Sequence, residues 1–437
     1  MTVREIEFAG HLPVFAALSN VGAHPLMKVF GHPPEGYRFV QTPVARPSDA
    51  MATRVKDALH DLGHALSGIH DCVTPAAVNR FLESRHMASQ LLLPDDCDLV
   101  LYPTFPMTFG QVPWMLEIEE ATPLFHPYLG NGRTDDVDLD TLPGYWMVRH
   151  LIRSDACRGI VTHMRCTAAT LPILFRDQSL ADKIHYSRLG LAPSDIPRTV
   201  PERDPETITF LFTNSWHQMD AGFFVRGGND VLAAFIVLLE RHPNIRLILR
   251  TQLPARLGPD VIRRIREHPA ITVYEDPLSP EQMDAIMARA DVHLMVSAHA
   301  HVMTALRAMA FGQALVVSDG WAIDEYADAG ENAVVVPGRA GKCWRYDADI
   351  GFFREKWQPL SQMDPDYVAR LVSAIEALIA EPGRIAALGR GGRKAVEERY
   401  TIDAWNAGLK AGLDAATASR CVRGAEYPTG GSAFGGC

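Results

Sequence analysis

Two histidines follow a short apolar run in the second half of the chain. Residues 292–296 predict a buried strand, and His299 and His301 lie in the loop before a helix around Met303–Ala310. A second apolar run, 314–318, completes a strand-helix-strand unit. The loop after the first strand of such a unit lies at the carboxyl edge of a parallel sheet, where open α/β folds bind ligands. His299 could there hydrogen-bond a hydroxyl or act as an acid, because histidine changes charge near neutral pH.

An arginine and two glycines stand in a second promising place. The run Ile208–Thr213 is β-branched and aromatic and predicts a strand, and Arg226-Gly227-Gly228 comes before a helical pattern that starts at Asp230. Glycines let backbone amides approach a phosphate, arginine grips it with two hydrogen bonds, and the helix offers its positive end. The alternative is a turn with an exposed arginine and a helix cap.

Carboxylates stand in and after a predicted strand of the first half. Trp114–Ile118 is the strand candidate, and Glu117, Glu119, Glu120 and His126 lie in it or follow it. Glu119 or Glu120 could orient a hydroxyl group or accept its proton as a general base. The alternative is that both are simply solvated, as most acidic side chains are.

Two patterns that suggest a metal do not hold up. Asp136 and Asp138 lie in a loop of carboxylates without a strong strand before it, so solvation is the better interpretation. His60 and His64 have helical spacing, but no third ligand is identifiable. The sequence predicts no metal site and no cofactor, and it has no dinucleotide fingerprint, Walker loop or nucleophile elbow.

Composition bounds the class of protein. The chain has 437 residues, 47% of them hydrophobic and 22% charged, which predicts two soluble globular domains. A formal net charge of −10 and a pI of about 5.9 argue against a general nucleic-acid binder. The chain has neither an apolar run of membrane-spanning length nor a signal-peptide pattern, so we expect a cytoplasmic protein whose seven cysteines are free thiols.

Basic residues are concentrated in the stretch 149–188. The simpler interpretation is a solvated face. The alternative is a basic surface that meets a phosphorylated or lipid-linked acceptor, with a peripheral contact to a membrane.

Proline and charge mark the boundary between two halves. Residues 191–207 hold four prolines and many charges, as an interdomain linker does. After it, strands and helices alternate, which predicts a parallel, doubly wound sheet. The first half has four weaker strand candidates, at 98–102, 114–118, 159–163 and 183–186. The end of the chain is helical, and the Gly-rich tail from Cys421 is predicted to be flexible.

The stretch 288–338 also resembles a known family, the glycosyltransferases with the GT-B fold, in particular the large retaining family four. The resemblance rests on Ala290-Asp291-Val292, Ser297, Ala308-Met309-Ala310, Gly312 and Val316-Val317. The Arg226-Gly227-Gly228 run stands where the family has a basic residue before a glycine. The two glutamates of the family's Glu-x7-Glu pair are replaced by His299 and Arg307.

The resemblance implies an α/β protein with two Rossmann-like doubly wound domains that face a cleft. An acceptor-binding domain would span residues 1–195 and a nucleotide-sugar-binding domain residues 207–395. A final helix, 396–420, would pack back on the first domain, and 421–437 would form the tail. His299, Glu119 and Glu120 would be catalytic. The donor would be bound by Ser215, Arg226, Gly227, Gly228, His301, Val302, Arg307 and Glu325, although Glu325 could equally be a helix-start carboxylate.

The implied activity is metal-independent transfer of a sugar from a nucleotide-diphosphate donor to a hydroxyl of a glycan, glycolipid or small molecule, as in polysaccharide biosynthesis. Two alternatives stay open. One is an inactive GT-B-like binding or scaffold protein, which the replaced glutamates would fit. The other is a sugar-nucleotide epimerase, which would need carboxylates and a histidine that converge on the donor sugar.

Overall fold

The computed structural model describes residues 4–8, 31–41, 49–84, 98–104, 106, 108, 113–214 and 220–418. The first half of this part forms a parallel sheet in the order β2-β1-β3-β4-β5-β6. Its strands are β1 (Arg4–Phe8), β2 (Tyr37–Gln41), β3 (Leu99–Pro103), β4 (Trp114–Glu117), β5 (Cys157–Thr162) and β6 (Ile184–Tyr186).

A second parallel sheet follows the linker, in the order β12-β11-β10-β7-β8-β9. Its strands are β7 (Ile208–Thr213), β8 (Ile245–Arg250), β9 (Ile271–Tyr274), β10 (Val292–Met295), β11 (Ala314–Ser318) and β12 (Ala333–Val336). The chain proceeds outward from β7 in one direction and then from β10 in the other. The point between β7 and β10 is therefore the topological switch point, whose carboxyl edge is the expected ligand crevice.

Helices cover the faces of both sheets. In the first half they are α1 (Asp49–Leu66), α2 (Pro75–Ser84), α3 (Pro143–Arg153) and α4 (Arg165–Leu174). In the second half they are α5 (Asp220–Val225), α6 (Gly228–Arg241), α7 (Pro259–Glu267), α8 (Pro280–Arg289), α9 (Val302–Ala310), α10 (Pro365–Ala380), α11 (Pro382–Glu398) and α12 (Ile402–Ala418). The central strands are buried on both faces, as parallel strands between helical layers must be.

Two segments of the second half return to the first. Helix α12 packs against β5 and β6, and the Ser187 hydroxyl donates to the Trp405 carbonyl at 2.5 Å. A hairpin, β13 (Trp344–Asp347) with β14 (Phe352–Glu355), leaves the second sheet after β12 and packs on the first half. The two halves are thus joined by helix α12 and the hairpin as well as by the linker.

The strands predicted in the second half are confirmed, and the four candidates in the first half are confirmed with ends shifted by up to two residues. The strands β1, β2 and β12 and the hairpin were not anticipated. Among the described residues no helix is both long and apolar enough to cross a bilayer. Cys72, Cys157, Cys166 and Cys343 are free thiols, as expected. The predicted flexible tail and Ser215 lie outside the described residues.

Candidate active site

The loop after β10 forms one wall of the crevice at the switch point. The His299 and His301 rings contact each other with centroids 4.3 Å apart, and His299 Nδ1 lies 2.9 Å from the Ala300 carbonyl oxygen. A backbone bridge between His299 and Trp321 ties this loop to the one after β11. Helix α9 then starts at Val302, so its amino end, whose first amides lack partners within the helix, follows this loop at the carboxyl edge of the sheet.

The Arg226-Gly227-Gly228 turn forms the neighbouring wall. Gly227 has the left-handed backbone φ of 81°, and a Cβ atom there would lie 2.6 Å from the Val296 carbonyl oxygen. Only glycine therefore allows the turn to press against the end of β10. A bond of 3.2 Å from the Ala298 amide to the Val225 carbonyl joins the two walls. Gly228 begins helix α6 against the Phe223 ring.

Arg226 differs in charge state from His299 and His301. Burial lowers the pKa of Arg226 to about 10, against the attraction of Glu119 and with the repulsion of Arg250, so the guanidinium stays charged at neutral pH. Burial lowers the pKa of His299 to about 4, and burial together with Arg226 holds the pKa of His301 well below its usual value. Both imidazoles are therefore neutral at pH 7. The His301 Nε2 atom is buried and has no hydrogen-bond partner in the described part of the chain.

The first domain brings Glu119 to the opposite side of the crevice. Attraction by its carboxylate raises the pKa of both Arg226 and His299, against the effect of burial. Glu119 Oε2 lies 3.6 Å from Nε2 of His163, and Nδ1 of the same ring lies 3.2 Å from Glu117 Oε1. His163 is 1% exposed and Glu117 is 2% exposed, whereas the Glu119 side chain is 41% exposed.

His163 is a residue that the sequence reasoning did not single out. Burial alone would lower its pKa, but the contacts with Glu117 and Glu119 outweigh burial and raise the pKa to about 10. The imidazole is therefore a buried cation between two carboxylates. The signal available in the sequence was its position at the end of a predicted strand, since the carboxyl ends of parallel strands meet at one edge.

Glu120 has a different environment from Glu119. Burial raises the pKa of Glu120 well above its usual value, and repulsion from the neighbouring Glu355 carboxylate of β14 raises it further. Glu355 also accepts a bond of 2.7 Å from the Gly132 amide and one from the Thr122 hydroxyl. Glu120 is thus engaged by Glu355, whereas the Glu119 side chain is 41% exposed and open to a ligand.

Two predicted donor-binding residues have other partners. Arg307 of α9 forms an ion pair with Asp284 of α8. The Glu325 carboxylate accepts the amides of Arg165 and Cys166, at 2.6 and 2.9 Å, and so caps the start of α4 across the domain boundary. The structure therefore gives Glu325 the structural role of a helix-start carboxylate, with the cap made to another domain.

Within the described residues no group of three or more His, Cys, Asp or Glu side chains is arranged to hold a metal ion. In the basic stretch, Arg153 pairs with Asp177 and Arg176 with Asp140.

Comparison with solved structures identifies the fold. No protein-family model matches the chain, and no curated protein matches it in sequence. The trehalose-6-phosphate synthase OtsA aligns with a TM-score of 0.56 at 11% identity, over 94% of this chain and 99% of that one. The α,α-trehalose-phosphate synthase (UDP-forming) from Burkholderia vietnamiensis gives 0.55 at 12%, over 97% and 100%. HepE from Anabaena, in complex with UDP and glucose, gives 0.54 at 9%, over 94% and 99%.

These similarities span nearly the whole of each chain, and the chain therefore has the GT-B fold, with two Rossmann-like domains facing a cleft. Fold similarity at such identities shows architecture, and activity has to be argued from the site.

Proposed function

We propose that the protein is a glycosyltransferase that moves a sugar from a nucleoside-diphosphate donor to an acceptor hydroxyl. The observation that carries this proposal is the charged, buried Arg226 at the switch point, 8% exposed and beside a glycine turn that only glycine can form. A buried guanidinium next to free helix amides is suited to a diphosphate. The complex of HepE, which has the same fold, holds UDP and glucose and supports this choice of ligand.

Each wall of the cleft has a role in the proposed reaction. Arg226 and the amides at the starts of α6 and α9 would stabilise the negative charge that develops on the leaving diphosphate, so that no metal is required. The neutral His299 and His301 would hydrogen-bond the donor. Glu119, held by His163, would orient the acceptor hydroxyl or accept its proton. Transfer would depend mainly on positioning and leaving-group stabilisation.

We infer a finer relationship to retaining family four from the sequence resemblance alone. Of the two residues that replace the family's glutamates, His299 lies in the crevice, while Arg307 is engaged by α8. We therefore assign donor contact to His299 and leave Arg307 out of the donor site. A sugar or lipid-linked acceptor, with a peripheral membrane contact, is proposed on the same resemblance.

Calorimetric titration with UDP, GDP, ADP, dTDP and CMP, with and without magnesium, tests the donor site. We expect one nucleotide to bind without metal, and Arg226→Ala to weaken its binding at least tenfold, because a charge-assisted contact contributes about 1.5–3 kcal/mol. Arg263→Ala is the matched control, since this arginine of α7 is exposed and pairs with Asp260. Unchanged affinity in Arg226→Ala would remove the diphosphate assignment.

The same titration decides between enzyme and scaffold. Binding of none of the five nucleotides would favour an inactive GT-B-like protein. For the nucleotide that binds, turnover of the corresponding sugar nucleotide tests His299. We expect His299→Ala to lower turnover far more than it weakens nucleotide binding. Equal turnover of the two proteins would show that His299 is not catalytic.

A further inference from the structure

A segment of the second half of the chain, residues 343–357, crosses to the first domain. It comprises the β13–β14 hairpin and its flanks, and it lies between β12 and α10 in the sequence. We call it the strap. The β-hairpin belongs to neither parallel sheet, and its flank joins the first domain through an antiparallel bridge between Lys356 and Arg133.

One end of the strap is built into the core of the first domain. Phe352 is 1% exposed and its ring centroid lies 6.1 Å from that of Phe125. A Cβ atom on Gly351 would lie 2.7 Å from the Leu174 amide nitrogen, so the turn of the hairpin sits directly against α4. A strap that buries an aromatic ring in another domain's core is held by the hydrophobic effect of that burial.

Polar contacts hold the second strand of the hairpin from Arg354 to Glu355, which lies opposite Trp344. Arg354 donates through Nη1 to the carbonyls of Asp135 and Val137, at 3.0 and 2.7 Å. The Thr134 amide donates to the Glu355 carbonyl at 2.9 Å, and the Glu355 amide donates to the Thr134 hydroxyl at 2.6 Å. These bonds set the position of the strap along the first domain as well as its depth.

The other end of the strap lies in the cleft. Trp344 is 6% exposed, and its ring centroid lies 4.5 Å from that of His299. The Trp344 indole also faces Glu120 of the first domain. A single aromatic side chain thus covers His299 of the second domain while the strap that carries it is anchored in the first domain.

We propose that Trp344 is a positioning residue that holds the His299 ring in the cleft, and that the strap couples this position to the packing of the first domain. The cover is a large rigid ring on a hairpin that Phe352 fixes at its far turn and Arg354 fixes along its second strand. Loss of either the ring or the Phe352 anchor should therefore expose His299 to water.

The test is a pH titration of His299, monitored by NMR on protein with isotope-labelled histidines and without any nucleotide. His299→Gln identifies the signal. Besides Trp344, the groups that face the His299 ring are Glu119, Arg226 and His301, and all three stay in every variant. In the unsubstituted protein we expect the His299 pKa near 4. In Trp344→Leu we expect it to rise by at least about one unit toward its value in water.

A remote variant tests the coupling. Phe352→Ala should raise the His299 pKa in the same direction, whereas Phe175→Ala should not. Phe175 also packs on Phe125, with centroids 6.2 Å apart, and no ring contact joins it to the strap. This control removes a comparable buried ring from the same core.

An identical His299 titration in the unsubstituted protein and Trp344→Leu would overturn the positioning role. A shift in Trp344→Leu without one in Phe352→Ala would overturn the coupling through the strap. Both titrations are made without nucleotide. The positioning role of Trp344 and the proposed glycosyltransferase function can therefore fail independently of each other.

Discussion

The buried cation between Glu117 and Glu119 gives the sharpest prediction for stability. The pKa of His163 is about 10 in the folded protein against 6.5 for a free histidine. The folded state therefore holds this proton more tightly than the unfolded state does. Its contribution to stability is fully present below pH 6.5 and is lost as the pH rises through 10. At 1.36 kcal/mol per unit, the contribution is roughly 5 kcal/mol, as an order of magnitude.

Replacement of His163 by glutamine should remove that contribution. Glutamine is neutral at every pH, so we expect His163→Gln to be markedly less stable at pH 6.5, as when one partner of a buried pair is removed. The unsubstituted protein loses this contribution to stability as His163 deprotonates. The difference in the free energy of unfolding between the two proteins should therefore disappear toward pH 10.

Thermal unfolding at intervals between pH 6.5 and 10 measures the difference in stability between the unsubstituted protein and His163→Gln. A change of 1 kcal/mol shifts the midpoint of a domain of this size by about 2–4 °C. The matched control is His293→Gln, because His293 is also 1% exposed but burial lowers its pKa to about 4, so it is neutral throughout this range. The difference in stability between His293→Gln and the unsubstituted protein should not depend on pH. If the difference for His163→Gln is also independent of pH, His163 is not a buried cation.

Three further substitutions and one control test the glycine turn, the α4 cap and Arg307. Gly227→Ala should lower both the unfolding midpoint and the nucleotide affinity, because the left-handed φ costs about 1–2 kcal/mol and the added Cβ meets the end of β10. Gly258→Ala, with a similar φ of 83° and open space around it, should lower only the midpoint. Glu325→Ala should cost about 0.5–2 kcal/mol of stability through loss of the α4 cap, and an unchanged midpoint would contradict that role. Arg307→Ala should change nucleotide affinity less than twofold, and a tenfold loss in calorimetry would restore the donor-binding role that the resemblance implies.

The sequence predicts most of what is local. Strands such as Ile208–Thr213 and helices such as α8, which begins with a Ser279 capping box, carry periodicity and cap signals within a few residues. The glycine turn at Arg226 was also visible, because a glycine run before a helix has a local geometric meaning. These features need no knowledge of distant parts of the chain.

Long-range partners were not accessible in the same way. His163 and Glu119 are 44 positions apart in the sequence, and Glu325 caps a helix that starts 160 residues earlier. The strap was missed because a short, half-exposed hairpin has weak alternation, and its meaning comes from the domain that it enters. Nothing in a window around Trp344 indicates that the ring covers His299.

His299 and Arg307, which the sequence resemblance aligns with two glutamates, lie in different surroundings. His299 is a neutral imidazole near the buried Arg226, and Arg307 forms an ion pair with Asp284 of α8. The negative charge of the cleft comes instead from the first domain, on Glu119, which the His163 cation holds at the surface of the crevice. Because Glu119 attracts Arg226 in the ligand-free protein, a diphosphate that binds as proposed would share or displace that attraction. In the proposed reaction the carboxylate would come from the first domain, so its position would depend on how the two domains are held together.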